Sequence, residues 1–345
     1  MKKNLVLTHK FLLTEPQPGL QVHASTVTTT CEGDPLVGWF VGPHEGHPST
    51  TIAVKRGKNP PIFPCLNNTE AQWNPVLMRV DDQSLWLFYK QGNSIERWKT
   101  WVVVSHDDGR TWSEPRDLVP ADESGGRGPI RQSPIIKDRR WIAAGSVENW
   151  TAARWDCFVD ISDDRGHTWQ QHMIPLDHSV LDGAGCIHPT ITPGREHVFV
   201  MLARSTQGSV FRSTSDDGCH WSPLIPTSLP NNNSGIASLA DSQGTLWCAH
   251  NLSTSNWGAR STLAMSSSDD DGETWTTELI IEKHASGSTG HPRSVSEHGV
   301  ITDGVGEYSY PAMLCVGNEL WVTYSWQRQA IALARLSMET SPEEA

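Results

Sequence analysis

The sequence has no apolar run near the roughly eighteen residues a spanning helix needs, and no sustained 3.6-residue apolar period. The first absence excludes a helical membrane span, and the second predicts little helix. Cysteines are few: the seven, at 31, 65, 157, 186, 219, 248 and 315, are scattered and include no CxxC pair. That pattern fits reduced thiols better than a disulfide framework. No leader is legible either, because His9 and Lys10 interrupt the early apolar stretch and no small-residue cleavage site follows. Together these absences predict a soluble, cytoplasmic protein with no membrane partner. Basic residues are also scarce, 27 against 39 acidic ones for a net charge of −12. Such a balance disfavours nucleic acid as a partner. An anionic ligand would require the few arginines to gather in one place. His23, His44, His47 and His188 fall in separate segments without metal-ligand spacing, so neither a metal nor a cofactor is implied.

What the chain does have is tryptophan, 16 residues against 7 Phe and 4 Tyr. Such a density suits stacking on sugar faces, and equally a structural repeat with one Trp per unit. The repeat is there. Ser105-x-Asp107-x-Gly109-x-Thr111-Trp112 recurs as Ser162-x-Asp164-x-Gly166-x-Thr168-Trp169, as Thr214-x-Asp216-x-Gly218-x-His220-Trp221 and as Ser268-x-Asp270-x-Gly272-x-Thr274-Trp275, the tryptophans lying 57, 52 and 54 positions apart. Its physical content is a tight turn: Ser and Asp side chains bond backbone N–H groups, Gly takes positive φ, and Trp anchors the turn. These aspartates read as turn builders, not as catalysts or ligands.

A second repeat runs in phase with the first. Six short strand starts begin near His23, Asn74, Gln132, His188, Asn233 and Tyr308, each followed by a run rich in aromatic and β-branched residues. Six units of about 57 residues in a chain of 345 predict an all-β fold, a six-bladed β-propeller forming one domain over 1–345. The last unit is short of residues, so the segment from Asn4 is expected to supply its outer strand and close the ring.

Propeller geometry sorts the polar residues. Innermost strand starts and the loops between second and third strands share one face, while the Trp-anchored turns lie on the other. The shared face gathers His23, Asn74, Arg131, His188, Asn233, Tyr308 and Tyr310, together with His44, Glu45, Glu148, Arg204, Arg260 and Arg328. Four arginines in a net-acidic chain predict a funnel that grips a carboxylate, flanked by groups able to move protons.

The turn motif is the Asp-box, or bacterial neuraminidase repeat, and the chain resembles the sialidase-like propeller superfamily over nearly its whole length. A closer resemblance, to a bacterial sialidase-like group, rests on His23-Ala24-Ser25-Thr26-Val27, His44-Glu45-Gly46, Asn74-Pro75-Val76, the run from Pro230 to Gly235, and Glu307-Tyr308-Ser309-Tyr310-Pro311. The box speaks for the fold more than for activity, since non-catalytic propellers also carry it. The resemblance implies three arginines holding a substrate carboxylate, a Tyr nucleophile assisted by a Glu, and a separate Asp as acid/base. By position Tyr308 corresponds to the nucleophile, Arg204 or Arg260 and Arg328 to arginines of the cluster, and Glu148 or Glu45 to the carboxylate. The chain departs from the family where an Arg-Ile-Pro motif would stand: it has His23-Ala24-Ser25, and the following loop carries His44-Glu45-Gly46-His47 without an Asp.

The expectation is therefore an enzyme cleaving the glycosidic bond of a terminal acidic sugar, as a sialidase-like exo-glycosidase. His23, His44, Glu45, Glu148 and Tyr308 are the catalytic candidates. Arg131, Arg204, Arg260, Arg328, Asn74, His188, Asn233 and Tyr310 are the binding candidates, and the partner is an acidic mono- or oligosaccharide. The same residues suit β-elimination on a uronic acid, as in the rhamnosyl-glucuronate lyases of that superfamily. A carbohydrate-binding propeller without catalysis is the third reading.

Overall fold

The computed structural model describes residues 3–66, 69–285 and 291–340. Each Asp-box folds as its chemistry dictates. Ser105 Oγ accepts from Gly109 N–H at 2.8 Å and donates to Asp107, whose carboxylate in turn accepts from Thr111 N–H and Thr111 Oγ1 at 2.8 and 2.7 Å. Asp164 and Asp270 repeat this arrangement with Thr168 and Thr274. The third box differs from its expected register. Ser215, not Thr214, bonds Gly218 N–H, and Asp217, not Asp216, accepts from Cys219 and His220. One residue fewer separates its Asp from its Gly, and the shorter turn is closed by the His220 ring in place of a Thr hydroxyl.

These turns link the third and fourth strands of sheets arranged as six blades. Blade I comprises Gln21–Thr29, Pro35–Gly42 and Thr51–Arg56; blade II comprises Gln72–Asp81, Ser84–Gln91, Lys99–Ser105 and Arg116–Asp117. Blade III runs from a three-residue inner strand, Ile135–Lys137, through Arg140–Asn149 and Arg154–Ser162 to Gln170–Met173. Blade IV is Cys186–Pro193, Phe199–Ser205, Ser209–Ser215 and Ile225–Pro230, and blade V is Ala237–Ala240, Leu246–Asn251, Thr262–Ser268 and Thr276–Lys283. Blade VI combines Tyr308–Val316, Glu319–Trp326 and Ala330–Thr340 with the chain's first strand, Lys3–Leu12, which pairs antiparallel to Ala330–Thr340 and closes the ring. Blade I has three strands where four were expected; only an isolated bridge from Val54 to Ile62 extends it.

The core lies between blades, because each sheet buries both faces against its neighbours. Leu36 and Ile52 meet Leu77 and Leu87 between blades I and II; Ile142 and Val159 meet Ile191 and Met201 between III and IV. Trp39 and Trp321 join I to VI, and Trp247, Met265 and Leu320 join V to VI. Among the described residues helix is confined to two three-residue turns, Ile95–Arg97 and His178–Val180, and no helix is long and apolar enough to cross a membrane.

One feature of the inner strands positions the site. Ala24, Asn74, His188, Asn233 and Tyr310 take φ of 58°, 44°, 50°, 58° and 51°. In blades I, II, IV and VI the ladder slips at that residue, between His23 and Thr26, Trp73 and Val76, Ile187 and Thr190, and Ser309 and Ala312. A bulge of this kind re-aims a side chain without ending the strand. Left-handed backbone costs a non-glycine residue about 1–3 kcal/mol, and it persists where the surrounding structure over-determines it.

Candidate functional site

Tyr310 stands at the centre of the face opposite the Asp-boxes. The guanidinium carbons of Arg131, Arg260 and Arg204 lie 4.9, 5.6 and 5.7 Å from its ring centroid, and the His23 ring is 4.2 Å away. Arginines from blades III, IV and V thus meet around one tyrosine. Arg328, from blade VI, joins them through carboxylates: it donates to Glu45 at 2.6 Å and to Glu307 at 3.1 Å, while Arg260 also pairs with Glu307 at 3.1 Å. Burial opposes ionisation of Glu307, but Arg328 and Arg260 outweigh it and hold its carboxyl below the usual range. The Arg260 Nε and Nη2 and the Arg328 Nη2 keep no hydrogen-bond partner among the described residues.

The four guanidiniums have different surroundings. Arg204 is 2% exposed and, among the described residues, bonds only to neutral groups: Tyr310 Oη at 2.7 Å, Asn233 Oδ1 at 3.0 Å and His188 Nδ1 at 3.3 Å. Arg131 is set deeper in the bore. Its Nη2 donates to the carbonyls of Ser25, Tyr310 and Pro311, each at 3.3 Å, and burial brings its pKa down to about 10.

A small cavity of about 20 Å³ lies at this mouth, bordered by Tyr310, Arg204, His188, Asn74, Glu148 and Glu45 and walled by Trp73, Trp98, Trp150 and Trp257. Glu148 is pushed up to about 7 by burial, against the pull of Arg204. His188 Nε2 is 3.6 Å from Glu148. Both His188 and His23 are held well below the usual histidine range, by burial first and then by the arginines around them. Both rings are therefore neutral at physiological pH. Neither ring nitrogen of His23 has a hydrogen-bond partner among the described residues.

Two candidates stand elsewhere. Tyr308 packs with Trp247, Leu320 and Tyr324 in the core between blades V and VI, two residues before the bulge that carries Tyr310 inward. Alternation along a strand sends neighbours at i and i+2 to the same face, and the bulge breaks that parity. His44 lies exposed on the rim, its Nδ1 3.0 Å from the Glu45 carbonyl and its ring 5.1 Å from His47, outside the cavity lining. Sequence reading also passed over Glu307 and the walls formed by Trp98, Trp150 and Trp257. Glu307 was visible beside the Tyr308-Ser309-Tyr310 run; nothing in the pattern marked those tryptophans apart from the rest of the 16.

Among the described residues no group of three or more His, Cys, Asp or Glu is arranged to hold a metal ion. Chemically, the mouth offers a buried cation without a bonded carboxylate, a phenol hydrogen-bonded to it, a carboxyl that titrates near neutrality and two neutral imidazoles.

Comparison with solved structures shows the fold. A protein of unknown function from Dyadobacter fermentans superimposes with a TM-score of 0.74 at 11% identity, covering 97% of this chain and 100% of that one. The Hadza microbial sialidase Hz136 matches with a TM-score of 0.70 at 16% identity over 91% of this chain and 65% of that one. Trypanosoma rangeli sialidase, solved with 2,3-difluorosialic acid as a covalent intermediate, matches with a TM-score of 0.66 at 13% identity, over 96% and 59%. This chain thus spans less than two thirds of the length of either sialidase. No curated protein matches the sequence. The BNR repeat-like domain family matches residues 33–322. On that match the chain belongs to the BNR repeat-like domain family, built as a six-bladed, sialidase-like propeller.

Proposed function

We propose that the protein cleaves the glycosidic bond of a terminal acidic sugar at this mouth. The observation that carries the reading is Arg204, a buried guanidinium on the cavity wall whose hydrogen-bond partners are all neutral. A substrate carboxylate supplies the missing counter-charge, and the free N–H groups of Arg260 and Arg328 add donors beside it. Glu148, titrating near 7, is suited to give a proton to the leaving oxygen. The family's nucleophile role falls to Tyr310 instead of Tyr308: its oxygen bonds the anomeric carbon as the glycosidic C–O bond breaks, and its proton passes to the neutral His188 ring, which meets the same guanidinium. A phenol suits an anomeric carbon that bears a carboxylate, because it brings no negative charge toward it.

One observation favours the second reading, β-elimination on a uronic acid. Among the described residues no carboxylate bonds the Tyr310 hydroxyl; it meets Arg204, with the neutral rings of His188 and His23 nearby. In elimination the arginines would acidify the C5 proton, a His or Tyr would remove it, and Glu148 would protonate the departing oxygen. Incubation with oligosaccharides ending in sialic acid or in a glucuronate-linked sugar separates the two. Free acidic sugar indicates hydrolysis, and ultraviolet absorbance from a new C4–C5 double bond indicates elimination. Binding without either product would overturn the proposal and leave a carbohydrate-binding propeller.

A further inference from the structure

Between blades V and VI the chain inserts a two-stranded hairpin, Ser294–Ser296 paired with Gly299–Ile301. It belongs to none of the six blades. Instead it reaches across the mouth and settles on loops of blades I and II. At its tip the Glu297 carbonyl accepts from Ile95 N–H at 2.7 Å and His298 Nδ1 lies 3.0 Å from the Asn93 carbonyl. On the blade I side, Gly46 sits so close beneath the tip that a Cβ there would stand 2.0 Å from the His298 carbonyl oxygen. Gly299 likewise rests against Glu45 and the Trp73 indole, where a Cβ would come within 3.0 to 3.1 Å. Val295, Ser296 and Val300 form the roof of the cavity whose floor is Tyr310 and Arg204.

Two magnitudes decide what this roof does. The space beneath it, about 20 Å³, is on the scale of a single water, whereas sites for small organic ligands run to roughly 300 Å³ or more. No sugar ring enters while the hairpin is seated. A two-stranded hairpin is also marginal by itself in water, and among the described residues a single backbone hydrogen bond, Ile95 to Glu297, joins its tip to another blade. Its other contacts are few: the His298 ring at the Asn93 carbonyl, Gly299 against Glu45 and the Trp73 indole, and Val295, Ser296 and Val300 over the cavity. Such an element sits at the low end of a protein's spread of local opening free energies.

We infer that the 294–301 hairpin is a mobile roof: it lifts to admit one terminal sugar and closes onto that sugar in a raised position, blocking chain on both sides and selecting exo-acting cleavage. The choice of exo over internal cleavage rests on the function proposed above; the lifting itself does not. Val295, Ser296 and Val300 are then substrate-contacting residues in the closed state, supplied by a segment outside the blades.

Hydrogen exchange read by mass spectrometry on the unliganded protein tests the lifting directly. Peptides covering 291–303 and 93–97 are expected to exchange at least 100-fold faster than the Glu319–Trp326 strand, and Gly46→Ala, which wedges the tip, to speed them further without changing that strand. Protection of 291–303 equal to that of Glu319–Trp326 would overturn the roof whatever the substrate proves to be. A variant with 295–300 replaced by two glycines then tests selection. Cleavage inside longer acidic oligosaccharides, absent in the parent, is expected; an unchanged product pattern in an active variant would overturn the selecting role. Absence of all cleavage by the parent protein would count against the proposed function and leave the exchange result standing.

Discussion

Tyr310 and Arg204 meet hydroxyl to guanidinium at 2.7 Å, across 106 residues of sequence and from two different blades. That contact puts the phenol proposed as nucleophile on the same cation that is proposed to hold the substrate carboxylate. Binding and chemistry are thus separated by one hydrogen bond. Tyr310→Phe keeps the ring that packs against His23 and removes only the oxygen. We expect kcat/KM to fall about 10²- to 10⁴-fold, with the melting temperature within a few degrees of the parent. Tyr308→Phe, in the core between blades, is expected to keep kcat within a few-fold. Steady-state kinetics on both variants checks the assignment, and the reverse ranking would return the role to Tyr308.

In the proposed reaction Glu148 is expected to set the alkaline side of the activity profile. With its carboxyl raised to about 7, the protonated form needed for proton donation is lost as pH climbs past neutrality. Activity is expected to decline above about pH 7. Glu148→Gln should lower kcat and remove that descending limb. A limb that survives in Glu148→Gln belongs to another group.

The same groups make stability depend on pH with opposite signs. The folded-state pKa of Glu148 lies above its unfolded value, so its contribution is fully present below about 4.5 and is lost as pH rises through about 7. His23 and His188 are depressed, so the unfolded chain binds protons more readily than the folded one below about 6.5. Their contribution is lost as pH falls through that value. In calorimetry between pH 7 and 5, His23→Phe should flatten the acid-side loss of melting temperature. Glu148→Gln should flatten the loss on the neutral side. Parallel curves for parent and variants would contradict the burial-driven shifts.

The third Asp-box separates sequence register from structure. Asp217 accepts from two backbone amides and the His220 ring, whereas among the described residues Asp216 bonds only the His197 ring, at 3.2 Å. Losing the Asp217 bonds should cost about 1–2 kcal/mol, or a few degrees of melting temperature. Asp216→Ala should change it by less than a degree. Thermal denaturation of the two alanine variants distinguishes them.

The propeller was legible because its information is local and repeated. Four turns with the same hydrogen-bonding needs recur at blade spacing, and period-2 strands lie between them. The arginine gathering was legible for the same reason, since blade phase alone places 131, 204, 260 and 328 around the axis. Three things were not. The choice between Tyr308 and Tyr310 depends on a bulge, which shifts side-chain parity without a composition cue beyond the following Pro311. Neutralisation of Arg260 and Arg328 by Glu307 and Glu45 depends on side-chain reach between blades VI, V and I. The short third box was hidden because Thr214-Ser215-Asp216-Asp217 contains two overlapping readings of the same motif, and only Gly218 geometry selects between them.

The five left-handed residues at the inner-strand starts have a consequence for how such a mouth diversifies. Asn74, His188 and Tyr310 sit at the bulges of their inner strands and Asn233 just ahead of its own strand, and the kink that presents each is written in backbone geometry. A blade can therefore exchange an amide for an imidazole or a phenol at its rung while the strands outside it keep their ladder. Blade I holds Ala24 there, and the neighbouring His23 supplies a ring that lies tilted against Tyr310, 4.2 Å between centroids. The axis works as a set of sockets, in which the backbone is fixed and the side chain presented is free to differ.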